Sequence, residues 1–246
     1  IHIHDLDFYN LTTTCCQIDL IKLFKNGFST GHGFLREPSH IQSYSALACI
    51  AIQSNQNDQH GGQSIPNFDF AMAMGVTKTY KAIYKQNLIK AISLLIDENN
   101  AENIAHEIIS KIKENFNLFP KLYDEEYYAE ELKLLTEKFG QDLAQKIQNF
   151  AVKNSMKEIN RDTYQAMEAL IHNLNTMHSR AGAQIPFSSL NYGTDTSHEG
   201  RLVIKNLLLA AEAGLGNGET PIFPIHIFKV KEGVNFNEGD PNYDLF

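Results

Sequence analysis

The feature that most constrains this fold is the stretch from residue 39 to residue 178. It carries helical periodicity with no clear strand, and it sits between two groups of short extended segments. Ahead of it, residues 1–18 read as two extended pieces. Ile1 and Ile3 alternate with His2 and His4, and Thr12 to Ile18 is rich in β-branched residues and cysteine. Gly27, Gly31 and Gly33 then punctuate a loop that ends at Arg36-Glu37-Pro38. Inside the stretch, Ile41, Tyr44, Leu47 or Ala48, Ala51 and Ile52 recur at helical spacing. They predict a helix that starts near Ser39, with Ser39, Pro38 or a later residue as its N-cap, and stops at Gly61-Gly62. Further helices are expected over 68–96, with Gly75 as a weak point, over 101–117, and over 124–178 with a break at Gly140. Strand character returns over 183–190, a helix follows over 199–213, and a last strand spans 220–230. Extended segments separated by helices predict an α/β fold with parallel strands, in one domain or one piece of a domain. A crossover needs only about a dozen residues. The surplus helix therefore predicts either a subunit interface or an inserted helical subdomain.

Composition narrows the function classes. At 246 residues and 43% hydrophobic, the chain can bury a sizeable core. Its net charge of −8 opposes general binding to a nucleic-acid backbone but allows a local basic pocket for one nucleotide. No apolar run approaches the roughly 18 residues of a membrane span, and no signal peptide opens the chain. Three cysteines make no disulfide framework, so a reducing, cytoplasmic setting is the expectation. Ile1 and Phe246 both read as cuts through a larger protein.

Several residues can carry chemistry, each with a plainer structural alternative. Cys15-Cys16 lies on a strand candidate. Alternation points the two side chains to opposite faces, so at most one faces an interior site, and a pair of small buried residues is the plain reading. The pair lacks the spacing of a zinc clamp. His2 and His4, followed by Asp5 and Asp7, read as a substrate-binding cluster or as structural histidines with local partners. A metal there would need a third ligand that no residue supplies. His60-Gly61-Gly62-Gln63 lets a backbone approach a ligand closely, or simply caps a helix. The loop Ser179-Arg180-Ala181-Gly182-Ala183-Gln184 offers a guanidinium and an amide, or is a plain helix-to-strand connection. Lys78, Lys81 and Lys85 share a helix face, solvated or turned to an effector phosphate.

Taken in order, the segments resemble a known family. They are His2-Ile3-His4-Asp5-Leu6-Asp7, Thr14-Cys15-Cys16-Gln17-Ile18-Asp19-Leu20, His60-Gly61-Gly62-Gln63, Gly214-Leu215-Gly216, Thr220-Pro221-Ile222-Phe223-Pro224 and Gly239-Asp240-Pro241-Asn242-Tyr243-Asp244. The chain resembles part of an anaerobic (class III) ribonucleoside-triphosphate reductase, a glycyl-radical enzyme. That resemblance implies the first half of a ten-stranded α/β barrel, with a helical dimer and effector region over about 38–178. It implies reduction of ribonucleoside triphosphates to their 2′-deoxy forms. A glycyl radical oxidises a finger-loop cysteine to a thiyl that abstracts the ribose 3′-hydrogen, and formate is the reductant. It also implies a homodimer, deoxynucleotide and ATP effectors, and a radical-SAM activating enzyme as partner.

Residue by residue, the resemblance makes Cys16, ahead of Gln17-Ile18-Asp19, the strand cysteine of the reduction. His4 and Cys15 are candidates for substrate contact. The loop with Ser179, Arg180, Gly182 and Gln184 resembles the one that links effector identity to substrate choice. Glu37, Lys81 and Lys85 are expected effector contacts. The Met-Gly-Cys-Arg-like finger loop, the Arg-Val-x-Gly-Tyr-like radical segment, the four-cysteine zinc motif and the ATP-cone have no counterpart in residues 1–246. No metal site is therefore expected here, and this piece alone is not expected to turn over. Two other readings remain open on the sequence. One is another glycyl-radical enzyme on a similar barrel. The other is a non-catalytic, nucleotide-binding dimerisation module whose Cys16 packs against apolar side chains with no cavity before it.

Overall fold

A computed structural model describes residues 15–59, 61–178 and 184–246. It divides into two compact units, one of residues 1–75 with 163–246 and one of residues 76–162. The first unit holds a four-stranded parallel sheet of β1 (Cys16–Gln17), β4 (Gln63–Ile65), β5 (Ser188–Tyr192) and β6 (Ile225–Phe228), in that spatial order. Helices separate these strands in sequence, as parallel pairing requires. Among the described residues the sheet has four strands, in a mixed α/β architecture.

Between β1 and β4 lie two helices and a two-stranded hairpin. Helix α1 (Leu20–Lys25) is capped by the Asp19 carboxylate, which accepts from the Lys22 amide at 3.2 Å. It was not predicted, because six residues carry too little periodicity to read. The glycine-punctuated loop contains a small hairpin, β2 (Phe28–Ser29) with β3 (Phe34–Leu35). Gly27 has φ +75°, and a Cβ there would meet the Leu35 carbonyl oxygen at 2.3 Å, so only glycine fits. Helix α2 (Ile41–Asp58) follows. Its N-cap position is His40, the residue after Ser39, and the Ser39 hydroxyl pairs with His40 Nδ1 at 2.9 Å.

Helix α3 (Phe68–Ser93) contains Gly75 without breaking. A Cβ on Gly75 would lie 2.8 Å from the Tyr44 ring, so this glycine admits close packing of α2 on α3. At the start of α3, buried Asp69 ties down the loop after β5. One carboxylate oxygen, Oδ2, accepts from the amides of Gly193, Thr194 and Asp195 at 2.9, 2.9 and 3.0 Å.

The 76–162 unit is helical throughout. It takes in the rest of α3, then α4 (Glu98–Phe116), α5 (Glu125–Phe139) and most of α6 (Gln141–Thr176). Asp97 and Asp124 cap α4 and α5 through the amides of Asn100 and Tyr127. Asn117 ends α4 in the left-handed conformation, and Gly140 with φ +79° separates α5 from α6 as the sequence predicts. The interior of this unit is polar at its centre. Glu131, wholly buried, accepts from Tyr84 Oη at 2.5 Å, Tyr127 Oη at 3.2 Å and Gln148 Nε2 at 3.0 Å. Burial pushes its carboxyl up to about 7, against the three donors that favour the charged form.

The remaining elements of the sheet unit differ from expectation in their bounds. β5 begins five residues later than the predicted 183 and runs on to Tyr192. β6 is only the middle of the predicted 220–230. Pro221 and Pro224 precede β6, where a missing N–H costs no ladder bond. Helix α7 (His198–Ala213) has Ser197 as its N-cap and Gly214 as its C-cap. No described helix is long and apolar enough to cross a membrane.

Candidate active site

β1 joins the sheet through two backbone bonds, Cys16 N to Gly62 O at 3.2 Å and Ile18 N to Ser64 O at 2.8 Å. This places Cys16 beside Gln63 in parallel register. A cavity of about 390 Å³ opens in front of them, the size of a small-ligand site. Its walls come from the beginnings of all four strands. Cys16 opens β1, Gln63 opens β4, Ser188 opens β5, and Ile225 opens β6. Phe187 and Phe223 flank it, their ring centroids 5.3 Å apart. The segment before β6 is held by Asn175, whose Oδ1 accepts from the amides of Ile222 and Phe223 at 2.8 and 3.1 Å. Its Nδ2 donates to the Phe223 carbonyl.

Cys16 is half-buried and Cys15 exposed, and neither is in a disulfide. Both line this cavity. Strand alternation predicts that Cys15 turns away, but Cys15 lies before β1, where the pleat does not set side-chain direction. The Cys16 sulfur accepts a hydrogen bond from Asn55 Nδ2 at 3.0 Å, and the same nitrogen donates to Gln63 Oε1 at 2.8 Å. Sequence reasoning noted the Gly-Gly-Gln run but did not single out Asn55. It sits in the polar stretch that closes α2, where helical phase alone gives no sign of a partner on β1.

The other sequence candidates are distributed as follows. His2, His4, His60, Ser179, Arg180 and Gly182 lie outside the described residues. Gln184 is half-buried and precedes β5. Glu37 is exposed and lines a second cavity of about 280 Å³ in the same unit, with Arg36, Ser39, Ser43 and Leu47. Lys81 and Lys85 belong to the helical unit. The Lys81 ammonium lies 3.0 Å from the centroid of the Phe119 ring, and Lys121 lies 4.5 Å from it. Burial, then the charges of Lys121, Lys113 and Lys78, hold Lys81 below its ordinary value. Among the described residues no three His, Cys, Asp or Glu side chains come together as metal ligands.

A cysteine thiol in the lining of a cavity that also holds serines and glutamines can donate a hydrogen atom or act as a nucleophile toward a polar small molecule. Comparison with known proteins narrows that choice. The family model described as anaerobic ribonucleoside-triphosphate reductase matches residues 1–246. The anaerobic ribonucleoside-triphosphate reductase of Enterobacteria phage T4 is 28% identical over 248 aligned residues, which cover all of this chain and 32% of that protein. Those of Escherichia coli K12 and Salmonella typhimurium are 27% and 28% identical, again along the whole chain and over 27% of each. The chain thus spans about a third or less of the relatives it matches. With a family match along its whole length, the chain belongs to the anaerobic ribonucleoside-triphosphate reductase family.

Proposed function

We propose that the full-length protein reduces ribonucleoside triphosphates to 2′-deoxyribonucleoside triphosphates without oxygen, and that Cys16 is the strand cysteine of that reaction. The observation that carries this reading is a cavity built from four strand beginnings whose lining includes Cys16 and its neighbour Cys15. Net, the ribose 2′-hydroxyl leaves as water, hydrogen takes its place, and formate is oxidised to carbon dioxide, so two electrons balance. A glycyl radical held elsewhere in the full-length protein would, through a thiyl, supply the abstraction of the ribose 3′-hydrogen. Within this chain, Cys16 supplies a reducing hydrogen to the sugar. Ser188 and Ser189 offer hydroxyls to its oxygens, and Phe187 and Phe223 limit water beside the reacting carbon.

The ten-stranded barrel belongs to this proposal. Ile222, Ile225 and Ile227 are 70%, 55% and 41% exposed, and β6 is an edge strand. Further strands laid against β6 would cover that apolar edge. His4 and Cys15 as substrate contacts, and the 179–184 loop as the specificity element, are part of the same reading. So are effector binding at Glu37, Lys81 and Lys85, a homodimer, and activation by a radical-SAM enzyme. The test is deoxynucleotide formation by the activated, full-length protein with formate. Cys16→Ser abolishes it and Cys15→Ser retains measurable turnover. Full activity of Cys16→Ser would defeat the assignment. Binding of a deoxynucleoside triphosphate separates this reading from a glycyl-radical enzyme acting on a small acid or diol, which has no use for one.

A further inference from the structure

We propose that Gly62 is the floor of the substrate site, the position at which a bound ribose rests directly on main chain and which limits what the cavity admits. Gly61 and Gly62 are neighbours with different reasons to be glycine. Gly61 has φ +93°, a conformation that side chains rarely adopt. Gly62 has no positive φ, and a Cβ built on it would meet only the Phe187 carbonyl oxygen, at 4.0 Å. Neither backbone conformation nor packing among the described residues requires a glycine there. Gly62 lines the cavity of about 390 Å³, so the side chain it lacks is space left to that cavity.

The backbone at Gly62 is held from both sides. Its carbonyl accepts from the Cys16 amide at 3.2 Å, and the next amide, that of Gln63, donates to the Phe187 carbonyl at 2.8 Å. One residue before the register pairs Cys16–Gln63 and Gln63–Ser188, Cys15, Gly62 and Phe187 stand side by side. With neighbouring strands about 4.8 Å apart, Cys15 and Phe187 flank a slot ~9.6 Å wide between Cα atoms, with no side chain at its centre. The Phe187 ring, backed by Phe223, is its apolar wall. Ser64, two residues on and on the same face, also lines the cavity. Its hydroxyl donates to Asn191 Oδ1 at 3.1 Å, which leaves the Ser64 oxygen to accept. Gln17 and Ser189 are its register neighbours on either side. Of the parts of a ribonucleoside triphosphate, the sugar fits this slot. Among the described residues the lining has no lysine or arginine to meet a triphosphate. It offers instead a row of hydroxyl and amide groups for sugar hydroxyls, beside an apolar wall for the carbon face of the ring.

This inference rests on the reductase reading for the identity of the ligand, and its test can fail separately from that reading. In the full-length, activated protein with formate, Gly62→Ala does not lower the melting temperature. It lowers kcat/KM about tenfold, equally for purine and pyrimidine substrates, and the bulkier Gly62→Val lowers it about a hundredfold. Independently of turnover, saturating CTP slows the alkylation of Cys15 by iodoacetamide, read by mass spectrometry, and Gly62→Val abolishes that shielding. A folded Gly62→Ala enzyme with kcat/KM within about twofold of wild type overturns the role of Gly62 and leaves the reductase reading standing. A Gly62→Ala protein that does not fold overturns it as well, because the glycine is then structural. A loss that differs more than about threefold between purine and pyrimidine substrates puts the base over Gly62 and overturns the ribose assignment. Absence of shielding in the wild type overturns the placement of the site. If the wild type forms no deoxynucleotide while CTP shields Cys15 and Gly62→Val abolishes the shielding, the reductase reading fails and the role of Gly62 as the floor stands.

Discussion

The two compact units each bury a carboxylate completely, and they hold it in opposite ways. Asp69 in the sheet unit accepts three consecutive backbone amides, 193 to 195. Glu131 in the helical unit accepts only side chains, two tyrosine hydroxyls and a glutamine amide. Backbone donors cannot be moved without moving the chain, so Asp69 fixes the turn that follows β5 and leads into α7. Side-chain donors can turn away or exchange protons, so Glu131 is a titratable centre inside a helical bundle. The lesson is that the cavity-bearing unit is braced by main chain, whereas the helical unit is braced by a network whose strength depends on pH.

The largest expected effect tests the rigid half of this contrast. Asp69→Ala orphans three backbone donors, two of them on buried residues, and is expected to cost about 4 kcal/mol. Hydrogen exchange read by peptide should rise over residues 188–200 while α5 stays protected. Equal loss of protection in both regions would break the comparison. Next is the pH dependence of Glu131, lifted from its ordinary 4.5 to about 7 in the folded state. A raised folded value means that the stabilising contribution is fully present below about pH 4.5 and is lost as pH rises through 7. At 1.36 kcal/mol for each pH unit, the wild type should lose about 3 kcal/mol relative to Glu131→Gln between pH 4.5 and 8. Urea unfolding followed by tyrosine fluorescence reads this, since the chain holds ten tyrosines and no tryptophan. A pH-independent difference would remove the titration from Glu131.

Gly75→Ala comes third. The added methyl meets the Tyr44 ring at 2.8 Å, and the expected loss is about 2 kcal/mol in the sheet unit despite the better helix propensity of alanine. A stabilised variant would show that Tyr44 can give way. The smallest effect sharpens the other half. Tyr128→Phe removes a hydroxyl that donates to the Lys121 carbonyl at 2.9 Å and meets Tyr80 Oη at 2.6 Å. It should cost about 1 kcal/mol by thermal melting, with no change in exchange over 188–200.

Local chemistry made much of the helical architecture readable. Gly140 breaks 124–178 where the sequence places the break, and the caps Asp97, Asp124 and Ser197, which were not read from the sequence, act only on amides within the next turn. Strand bounds were less readable. β5 and β6 are set by which residues find partners in neighbouring strands, and such long-range pairing leaves only a weak local trace. The helical unit's polar centre was not legible at all, because Tyr84, Tyr127, Glu131 and Gln148 meet only after three helices pack.

By itself, the sequence determined the alternation of extended and helical segments, the stops at Gly140 and Gly214, and a set of ordered motifs specific enough to name a family. These depend on neighbours along the chain or on chemistry written in short runs. Only the tertiary structure decided that Cys16 and Cys15 border one cavity, that this cavity lies at the beginnings of four parallel strands, and that Asn55 reaches the Cys16 sulfur. Each of those facts joins residues tens of positions apart. Their separation is closed by sheet pairing and helix packing, which no window along the chain contains.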